Sequence, residues 1–593
     1  MAPTRRLGRP ATLALAATFL LGAAVTLRAA TAPLEGYEQS VLLAVRPLLW
    51  LLFVPLVALY ALALWNLRRD ARPVETGVVI AAIMYVNLVV LALPAFRGYH
   101  FNGRSDAATI LGRIRYIADT GAIGPDNVYP ATHLVTVSVT ELAGIDLPPA
   151  MFIIPFVFTA LFPLFTYCYA TRLFDRRLYV GVACLASTVL LLSYRHAYVL
   201  FDQQVMALLF VPVTLYAVYR SLDAHRRYYV VLALTGTVLA VFHPVTVLLF
   251  LFTLVAFLAL DYAGGISGHH STTPPLTIGA VVGIAMLQWF TYIKFFHQIT
   301  LRLSSFLTGR LSHRALERNV DAIAGFQPEA FLTLLAKTLL HDLLFCLLAG
   351  ATILAILARV ARGTRRFQAG EAVLVLWFLI ATVVQVGHVA TGIFNLFIYR
   401  FVGPIVIVTP LLVAAGLALF ERRPSRPAHD VTLSTTAVMV LFAVLVVSAP
   451  VGLLSAHAGP YNHNVNEQVT ESELATTQWV IETTPAGGRT TGVVTRPYRF
   501  ADILIGPQER KDTGLFFRRG FRVPPQFGYT TATSDTTIES GSVVFVSEAD
   551  RFVIRRGGGR WTDYHRADYA RFQRDPRAVN HYSSGVTDLW RVD

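Results

Sequence analysis

The sequence predicts an α-helical polytopic membrane protein with a small extracytoplasmic α/β domain at its carboxyl end. Of the 593 residues, 55% are apolar and 15% are charged, and the mean hydropathy is +0.55. A soluble domain usually carries about 25% charged residues, so the excess apolar surface must face lipid or other membrane helices. This apolar composition excludes a cytosolic enzyme and a nucleic-acid-binding protein. The net charge of +14 does not require a polyanionic partner, because positive residues can mark the cytoplasmic ends of membrane spans.

Runs of about 20 apolar residues can cross about 30 Å of hydrocarbon as helices, and about thirteen such spans are predicted. They cover residues 11–29, 41–66, 75–96, 148–171, 178–194, 203–219, 228–243, 245–262, 275–296, 331–358, 371–390, 399–420 and 433–454. The seventh and eighth are short and separated only by His243 and Pro244, so this pair could instead form a re-entrant hairpin. The first span could instead be a cleaved signal peptide, because arginines precede it and the small residues 30–32 follow it.

The positions of arginine predict the orientation, because basic residues in short loops stay on the cytoplasmic side. Arginine clusters precede span one and follow spans two, four, six, ten and twelve. Among the predicted cytoplasmic loops, only 263–273 lacks one. We therefore expect a multi-pass protein of the cell membrane with a cytoplasmic amino terminus. Residues 1–454 form the membrane domain in this prediction, and residues 455–593 form the outer domain.

Three stretches on the predicted outer side are not membrane spans: the loop 97–147, the segment 297–330, which is expected to be amphipathic and to lie beside lipid head groups, and the outer domain. The long loop 97–147 is expected to hold two helices, the first of them at 107–119 and lying on the membrane surface with its isoleucines toward lipid. The outer domain is expected to begin with a capped helix from Glu471 to Glu482. Strands are predicted at 491–495 and 542–547, and the chain is expected to close with a hairpin.

Recognisable catalytic motifs are absent from the sequence. It has no phosphate-cradling glycine loop, no zinc-ligand spacing and no nucleophile elbow. The cysteines Cys168, Cys184 and Cys346 lie in apolar runs, where disulfides are not expected. The candidates for chemistry are therefore ionisable residues at the outer ends of spans, where burial of charge is costly.

The first candidate is Asp106, in Gly103-Arg104-Ser105-Asp106, shortly after the third span. A carboxylate beside arginine is expected to stay ionised, because a positive neighbour favours the charged form. It could then accept a proton from a sugar hydroxyl. The alternative is a purely structural role at the amino terminus of the helix predicted at 107–119.

This motif, followed by Tyr129-Pro130-Ala131-Thr132-His133 in a long outer loop, resembles those of the polytopic C-class (GT-C) glycosyltransferases. That superfamily contains protein mannosyltransferases, oligosaccharyltransferases, and archaeal and bacterial members. The resemblance implies an inverting transfer of sugar from a polyprenyl (dolichyl) phosphate carrier on the outer membrane face, with Asp106 as general base. The implied partners are this donor, a glycan, protein or lipid acceptor, and membrane lipid.

The sequence departs from that family in its acidic residues. Members often carry a second acidic residue next to the first, or a DxD pattern, and neither occurs beside Asp106. No cofactor is therefore predicted with certainty, and a divalent metal is possible but not indicated.

Arg400, in Tyr399-Arg400-Phe401 at the outer start of span twelve, is the predicted phosphate-binding residue. Guanidinium matches phosphate with paired donors and stays charged. The resemblance implies the same role, because in that family an arginine near one of the last spans often contacts the carrier phosphate. An arginine that only snorkels to the interface is the alternative.

Further candidates for binding the sugar or the lipid phosphate come from the outer side. They are Arg104, His133, Arg195, His196, Asp202, His243 and Tyr399. Structural histidines and a solvated ion pair in the loop between spans five and six are the simpler interpretations.

Two other classes of function remain open. A transporter or flippase of lipid-linked sugars would suit charges near the membrane, but the paired broken helices and two-half symmetry of many transporters are not evident. A noncatalytic membrane protein of envelope assembly would use the outer domain for binding. The long outer loop favours surface chemistry over alternating access.

Overall fold

The fold is known from a computed structural model. It describes residues 9–34, 36–68, 73–124, 127–190, 200–222, 226–267, 273–292, 300–301, 304, 328–391, 402–421, 430–462, 464–485, 488–513, 515–517, 523–529, 538–556 and 564–593.

Helices dominate the described part of the chain. The helices before residue 300 are α1 (Arg9–Thr31), α2 (Arg46–Arg68), α3 (Pro73–Leu91), α4 (Leu93–Phe96), α5 (Asp106–Thr120), α6 (Pro130–Ala143), α7 (Leu147–Leu173), α8 (Arg177–Leu190), α9 (Gln203–Ser221), α10 (Arg226–Phe242), α11 (Pro244–Tyr262) and α12 (Thr273–Tyr292). They are followed by α13 (Pro328–Ala361), α14 (Ala369–Thr391), α15 (Val402–Val406), α16 (Thr409–Glu421) and α17 (Asp430–Ser455).

The chain is a helical membrane protein. Within the described residues, nine helices are long and apolar enough to cross a membrane. They are α1, α2, α3, α7, α9, α11, α13, α14 and the α15–α16 segment. Shorter apolar helices lie at Arg177–Leu190, Arg227–Phe242, Thr277–Thr291 and Ala443–Ser455. Helical structure therefore occurs in every region where a span was predicted.

The predicted span 399–420 is not one continuous helix. Its described part divides into α15 and α16, which are separated by a turn at residues 407–408. Pro410 stands at the beginning of α16, where a missing backbone N–H costs least. Trp377 on α14 donates a hydrogen bond of 2.7 Å from its indole N–H to the carbonyl of Pro404 in α15. The side chain of a neighbouring helix thus satisfies backbone at the break.

Segments predicted on the outer side meet at one end of the helix bundle. Strand β1 (Phe101–Asn102) pairs antiparallel with β2 (Gln468–Val469), which joins the long loop to the carboxy-terminal region. The buried Arg97 donates to the carboxylate of Glu38, in the segment between α1 and α2, and to the carbonyl of Ala29 at 2.9 Å. These three segments therefore lie on the same side.

Segments predicted on the cytoplasmic side meet at the other end. Ile266, after α11, forms a β-bridge with Phe367, before α14. The hydroxyl of Tyr169 near the end of α7 donates to the carbonyl of Gly370 at 2.8 Å. Helix α7 has 27 residues, about 40 Å at 1.5 Å per residue, and begins directly after the outer loop. The loops predicted on the outer side and those predicted on the cytoplasmic side thus lie at opposite ends of the bundle.

The carboxy-terminal region contains a five-stranded sheet and four helices among its described residues. The strands are β3 (Arg489–Gly492), β4 (Phe516–Phe517), β5 (Ser542–Ser547), β6 (Ala578–Ser583) and β7 (Thr587–Val592), in the order β4-β3-β5-β7-β6. The helices are α18 (Glu471–Thr483), α19 (Pro497–Asp512), α20 (Glu548–Arg556) and α21 (Arg566–Phe572). Strand β3 is parallel to β4 and β5, while β7 is antiparallel to β5 and β6.

Both faces of this sheet are covered. Side chains alternate along a strand, so Val544 and Val546 of β5 enter a hydrophobic core of the outer domain itself. Phe545 points to the other face and belongs to the large core that continues into the membrane helices. The predicted capped helix is present as α18, with a capping box between Thr470 and Glu473. Helix α19 was not predicted.

Helix α5 lies under the outer domain, so the prediction that its isoleucines face lipid was wrong. Ile110, Ile114 and Ile117 are all buried within the protein. The helix packs directly against α19, so a Cβ atom added to Gly112 would overlap the carbonyl oxygen of Asp502. Only a glycine permits this approach of two backbones.

We expect the substitution Gly112→Ala to separate α5 from α19. The added methyl group meets backbone atoms that cannot rotate away, so overpacking should cost about 1–3 kcal/mol of unfolding free energy. Thermal unfolding in detergent and protease cleavage of the outer domain measure the effect. Gly350→Ala is the control, since nothing lies within 4 Å of its added Cβ. Equal stability of both variants would contradict the close packing.

Candidate functional site

Asp106 is the first residue of α5, at the contact between the outer loop and the carboxy-terminal domain. Its side chain is 45% exposed, and its Oδ1 accepts a hydrogen bond of 2.5 Å from Nη2 of Arg499 on α19. The side chain of Arg499 is only 9% exposed. The partly exposed carboxylate of Asp106 is therefore hydrogen-bonded to a buried guanidinium.

A network of charges orients this arginine. Nη1 of Arg499 donates to the hydroxyl of Thr109, one turn after Asp106, at 2.5 Å. The hydroxyl of Thr109 in turn donates to Asp502, whose other oxygen accepts from Nε of Arg510. These five residues, Asp106, Thr109, Arg499, Asp502 and Arg510, are called the Asp106 network below. All of them lie on α5 and α19, so the docking of these helices builds the network.

An aromatic ring lies beside both arginines of the network. The guanidinium carbons of Arg499 and Arg510 are 5.0 Å and 5.6 Å from the ring centroid of Tyr498. A planar guanidinium near an aromatic face is attracted by the ring and loses rotational freedom. The orientation of Arg499 is therefore fixed by hydrogen bonds and by packing.

Arg104 lies close in sequence to Asp106 but is enclosed in the outer domain. Its guanidinium binds both carboxylate oxygens of Glu473, at 2.6 Å and 2.9 Å, and donates to the Gln468 carbonyl and the Thr495 hydroxyl. Burial alone lowers the pKa of Arg104, but the Glu473 carboxylate, together with Tyr37 and Asp550, raises the pKa overall. The arrangement is that of a structural cross-link, and nothing in it supports the predicted contact with substrate.

His133 and His243 come together around Tyr129. The rings of Tyr129 and His243 stack with centroids 5.3 Å apart. Nδ1–H of His133 donates to the carbonyl of Tyr129 at 2.7 Å, and the indole N–H of Trp289 donates to the carbonyl of Val128 at 3.3 Å. The loop 97–147 is thereby fixed to the turn between α10 and α11 and to the carboxyl end of α12.

Polar atoms next to this cluster are buried without a hydrogen-bond partner. Within the described residues these are both side-chain polar atoms of Asn127, the hydroxyl of Thr132 and Nε2 of His133. Burial, and then the positive charge of Arg113, lower the pKa of His133 from 6.5 to about 3, so its imidazole is neutral. Asn127 and Thr132 were not predicted as site residues, because neither stands out in a single sequence.

Of the remaining predicted site residues, one caps a helix and four lie outside the described residues. Asp202 is the amino-terminal cap of α9, with its Oδ1 accepting from the backbone N–H of Val205 at 3.1 Å. Arg195, His196, Tyr399 and Arg400 lie outside the described residues. The convergence of Arg400 with Asp106 therefore stays a prediction.

Among the described residues, the Asp106 network is not accompanied by a cluster of metal ligands. Where residues are described, no group of three or more His, Cys, Asp or Glu side chains could hold a metal ion. One cavity is lined by Leu173, Phe174, Arg365 and Glu371, at the far end of α7 from the outer loop. This cavity is therefore separate from Asp106.

No protein-family model matches the chain, and no curated protein matches it significantly. The resemblance to C-class glycosyltransferases therefore rests on the motifs of the first outer loop and on the architecture.

Glu473→Ala should destabilise the protein strongly. It leaves the buried guanidinium of Arg104 without its carboxylate and removes the capping box of α18, and breaking a buried ion pair costs about 3–5 kcal/mol. Chemical unfolding monitored by tryptophan fluorescence gives the difference in unfolding free energy. Glu482→Ala on the exposed side of the same helix is the control and should change stability by less than about 0.5 kcal/mol. A similarly small effect at Glu473 would refute the cross-link.

His133 should make stability dependent on pH. Its pKa is lower in the folded protein, so the unfolded chain binds the extra proton as the pH falls from about 6.5 to about 3. Stability is then lost at up to about 1.4 kcal/mol per pH unit in this window. We expect His133→Gln to flatten the measured slope, whereas His581→Gln on an exposed strand should leave it unchanged. Parallel slopes for wild type and His133→Gln would exclude a buried neutral His133.

Proposed function

We propose that this protein is an inverting membrane glycosyltransferase that uses a polyprenyl-phosphate-linked sugar on the outer membrane face. Asp106 acts as the general base. The acceptor is a hydroxyl group of an envelope glycan, protein or lipid. The proposal includes about thirteen spans, a cytoplasmic amino terminus and an extracytoplasmic carboxy-terminal domain.

The observation that carries the proposal is the geometry of Asp106. A general base must be ionised, oriented and within reach of the proton that it removes. Asp106 is 45% exposed, one of its oxygens is held by Arg499, and it stands on the outer loop that resembles the glycosyltransferase loop. An ordinary capping aspartate would not need a buried arginine from a helix 393 residues away.

The proposed reaction is a single displacement. Asp106 takes the proton of the acceptor hydroxyl while the hydroxyl oxygen attacks the anomeric carbon from the face opposite the phosphate. The bond between that carbon and the phosphate oxygen breaks, and polyprenyl phosphate leaves with the electron pair. The carrier phosphate is already an activated leaving group, so no ATP is consumed. Base catalysis of this kind contributes about 10² to 10⁴ in rate.

The leaving phosphate needs a positive group, and Arg400 remains the proposed one. A guanidinium supplies paired donors to phosphate and keeps its charge at any working pH. Stabilisation of the leaving group and alignment of the two substrates would supply the rest of the acceleration.

Contacts at the two ends of the bundle support the proposed topology. The turn between α10 and α11 carries His243, which stacks on Tyr129 of the outer loop. The other ends of these helices lie at residue 226 and near Ile266, among the loops of the opposite side. Two full crossings account for these contacts better than a re-entrant hairpin does.

The outer contacts also favour chemistry over transport. The pairing of β1 with β2 and the buried pairs of Arg97 with Glu38 and Arg104 with Glu473 tie the outer segments together. Alternating access needs one half of a transporter to move against the other. A noncatalytic assembly role is the second candidate, because the same ion pairs would also suit a rigid scaffold.

Asp106→Asn tests the proposed base. The amide keeps the size of the carboxylate and one acceptor oxygen for Arg499 but cannot accept the proton, so transfer should fall by about 10² to 10⁴. Deletion cells are complemented with the variant, and intact masses of envelope glycoproteins and lipid-linked glycans are compared with those of wild-type cells. The missing mass increment also identifies the transferred sugar.

Asp119→Asn, at an exposed position on the same helix, is the matched control and should restore the wild-type masses. Folding of both variants is verified by expression level and thermal unfolding. Restored masses with Asp106→Asn would rule out its role as base. Identical masses in wild-type and deletion cells, with an envelope complex lost, would instead favour the assembly role.

A further inference from the structure

We propose that Arg499 is a positioning residue for the base, and that the carboxy-terminal domain is therefore part of the catalytic site. This inference rests on the proposed function. It assigns the domain a role in the chemical step, beyond binding the acceptor or covering the site.

The asymmetry of the pair distinguishes it from the two other arginine–carboxylate pairs between these segments. In the pairs of Arg97 with Glu38 and Arg104 with Glu473, the carboxylate side chains are 18% and 1% exposed. Both partners are enclosed there, as a docking contact requires. In the pair of Asp106 with Arg499, the arginine is 9% exposed but the carboxylate is 45% exposed. Of these three carboxylates, only that of Asp106 is more than one-third exposed while its arginine is enclosed.

Arg499 is also fixed before any substrate arrives. Its Nη1 is held by the hydroxyl of Thr109, which is itself anchored by Asp502, and its guanidinium lies near the ring of Tyr498. Groups that are already oriented need no rearrangement during the reaction, which is how preorganised charges lower barriers. The anchoring of Arg499 thus serves the orientation of Asp106.

The positive charge has a chemical consequence for the base. A guanidinium at hydrogen-bond distance favours the ionised form of a carboxylate, so Asp106 can accept protons at lower pH than it could alone. It also returns Asp106 to the ionised state after each cycle, when the proton passes to water. Removing Arg499 should therefore change the pH at which the enzyme works as well as its rate.

The test is the pH profile of sugar transfer. Membranes containing each variant receive polyprenyl-phosphate-linked sugars extracted from the same cells, and the new glycosidic product is quantified by mass spectrometry. For Arg499→Gln we expect the acid limb of the profile to move upward by about 1–3 pH units, with a lower rate at neutral pH. An acid limb at the wild-type position would overturn the inference.

Arg115→Gln is the matched control. Arg115 lies on α5 and also holds α19, by donating to the carbonyls of Ile503 and Leu504 at 2.6 Å and 3.0 Å. Its loss weakens the same docking without removing the charge partner of Asp106. Its acid limb should stay at the wild-type position even if stability falls. An equal shift in both variants would show that Arg499 acts only through docking.

Arg499→Lys covers the case in which Arg499→Gln does not fold. Lysine keeps the charge but not the planar fork that binds Asp106 and Thr109 together, so the acid limb should stay in place while the rate falls. A wild-type rate would refute the positioning role. If the wild-type membranes themselves form no product, the proposed function fails. If they do and Asp106→Asn does not, only the assignment of Arg499 is at stake.

Discussion

The close contact between α5 and α19 is the constraint on which the outer half of the structure depends. Gly112 lets the two backbones touch, and this approach brings Arg499 to within hydrogen-bond distance of Asp106. A larger residue at this position would move the whole Asp106 network apart. The docking of α19 on α5 thus supplies the partner of the candidate base Asp106, whereas the start of α5 itself could be predicted from local sequence.

Buried arginines organise the docking of the outer segments. A bare guanidinium is costly to bury, and those of Arg97 and Arg104 are each compensated by a carboxylate and by at least one backbone carbonyl from a distant part of the chain. Arg97 joins the segment after α1 to the segment after α3, and Arg104 joins the outer loop to α18. Arg97 and Arg104 lie on the predicted outer side, so these two arginines serve as cross-links and do not mark cytoplasmic ends of spans.

Hydropathy predicted the helices of the membrane domain well, because the need to satisfy backbone groups in hydrocarbon leaves few alternatives. It did not predict the break between α15 and α16, where Trp377 donates a hydrogen bond to the carbonyl of Pro404. In the carboxy-terminal domain the capping box of α18 could be predicted from local sequence, whereas helix α19 was not predicted. The partner of Asp106 could not be predicted, since 393 residues separate it from Arg499. Arg104 was predicted to bind substrate because it is close in sequence to Asp106, whereas in the fold its guanidinium binds Glu473.

The central claim is that a glycosidic bond is formed at the outer surface, and reconstitution tests it most directly. The purified protein is placed in lipid vesicles containing polyprenyl-phosphate-linked sugars extracted from cells that lack it, together with the envelope fraction as acceptor. We expect a new glycosidic product and release of polyprenyl phosphate in equal amounts. Movement of the intact lipid-linked sugar between the two leaflets, with no product formed, would contradict the account.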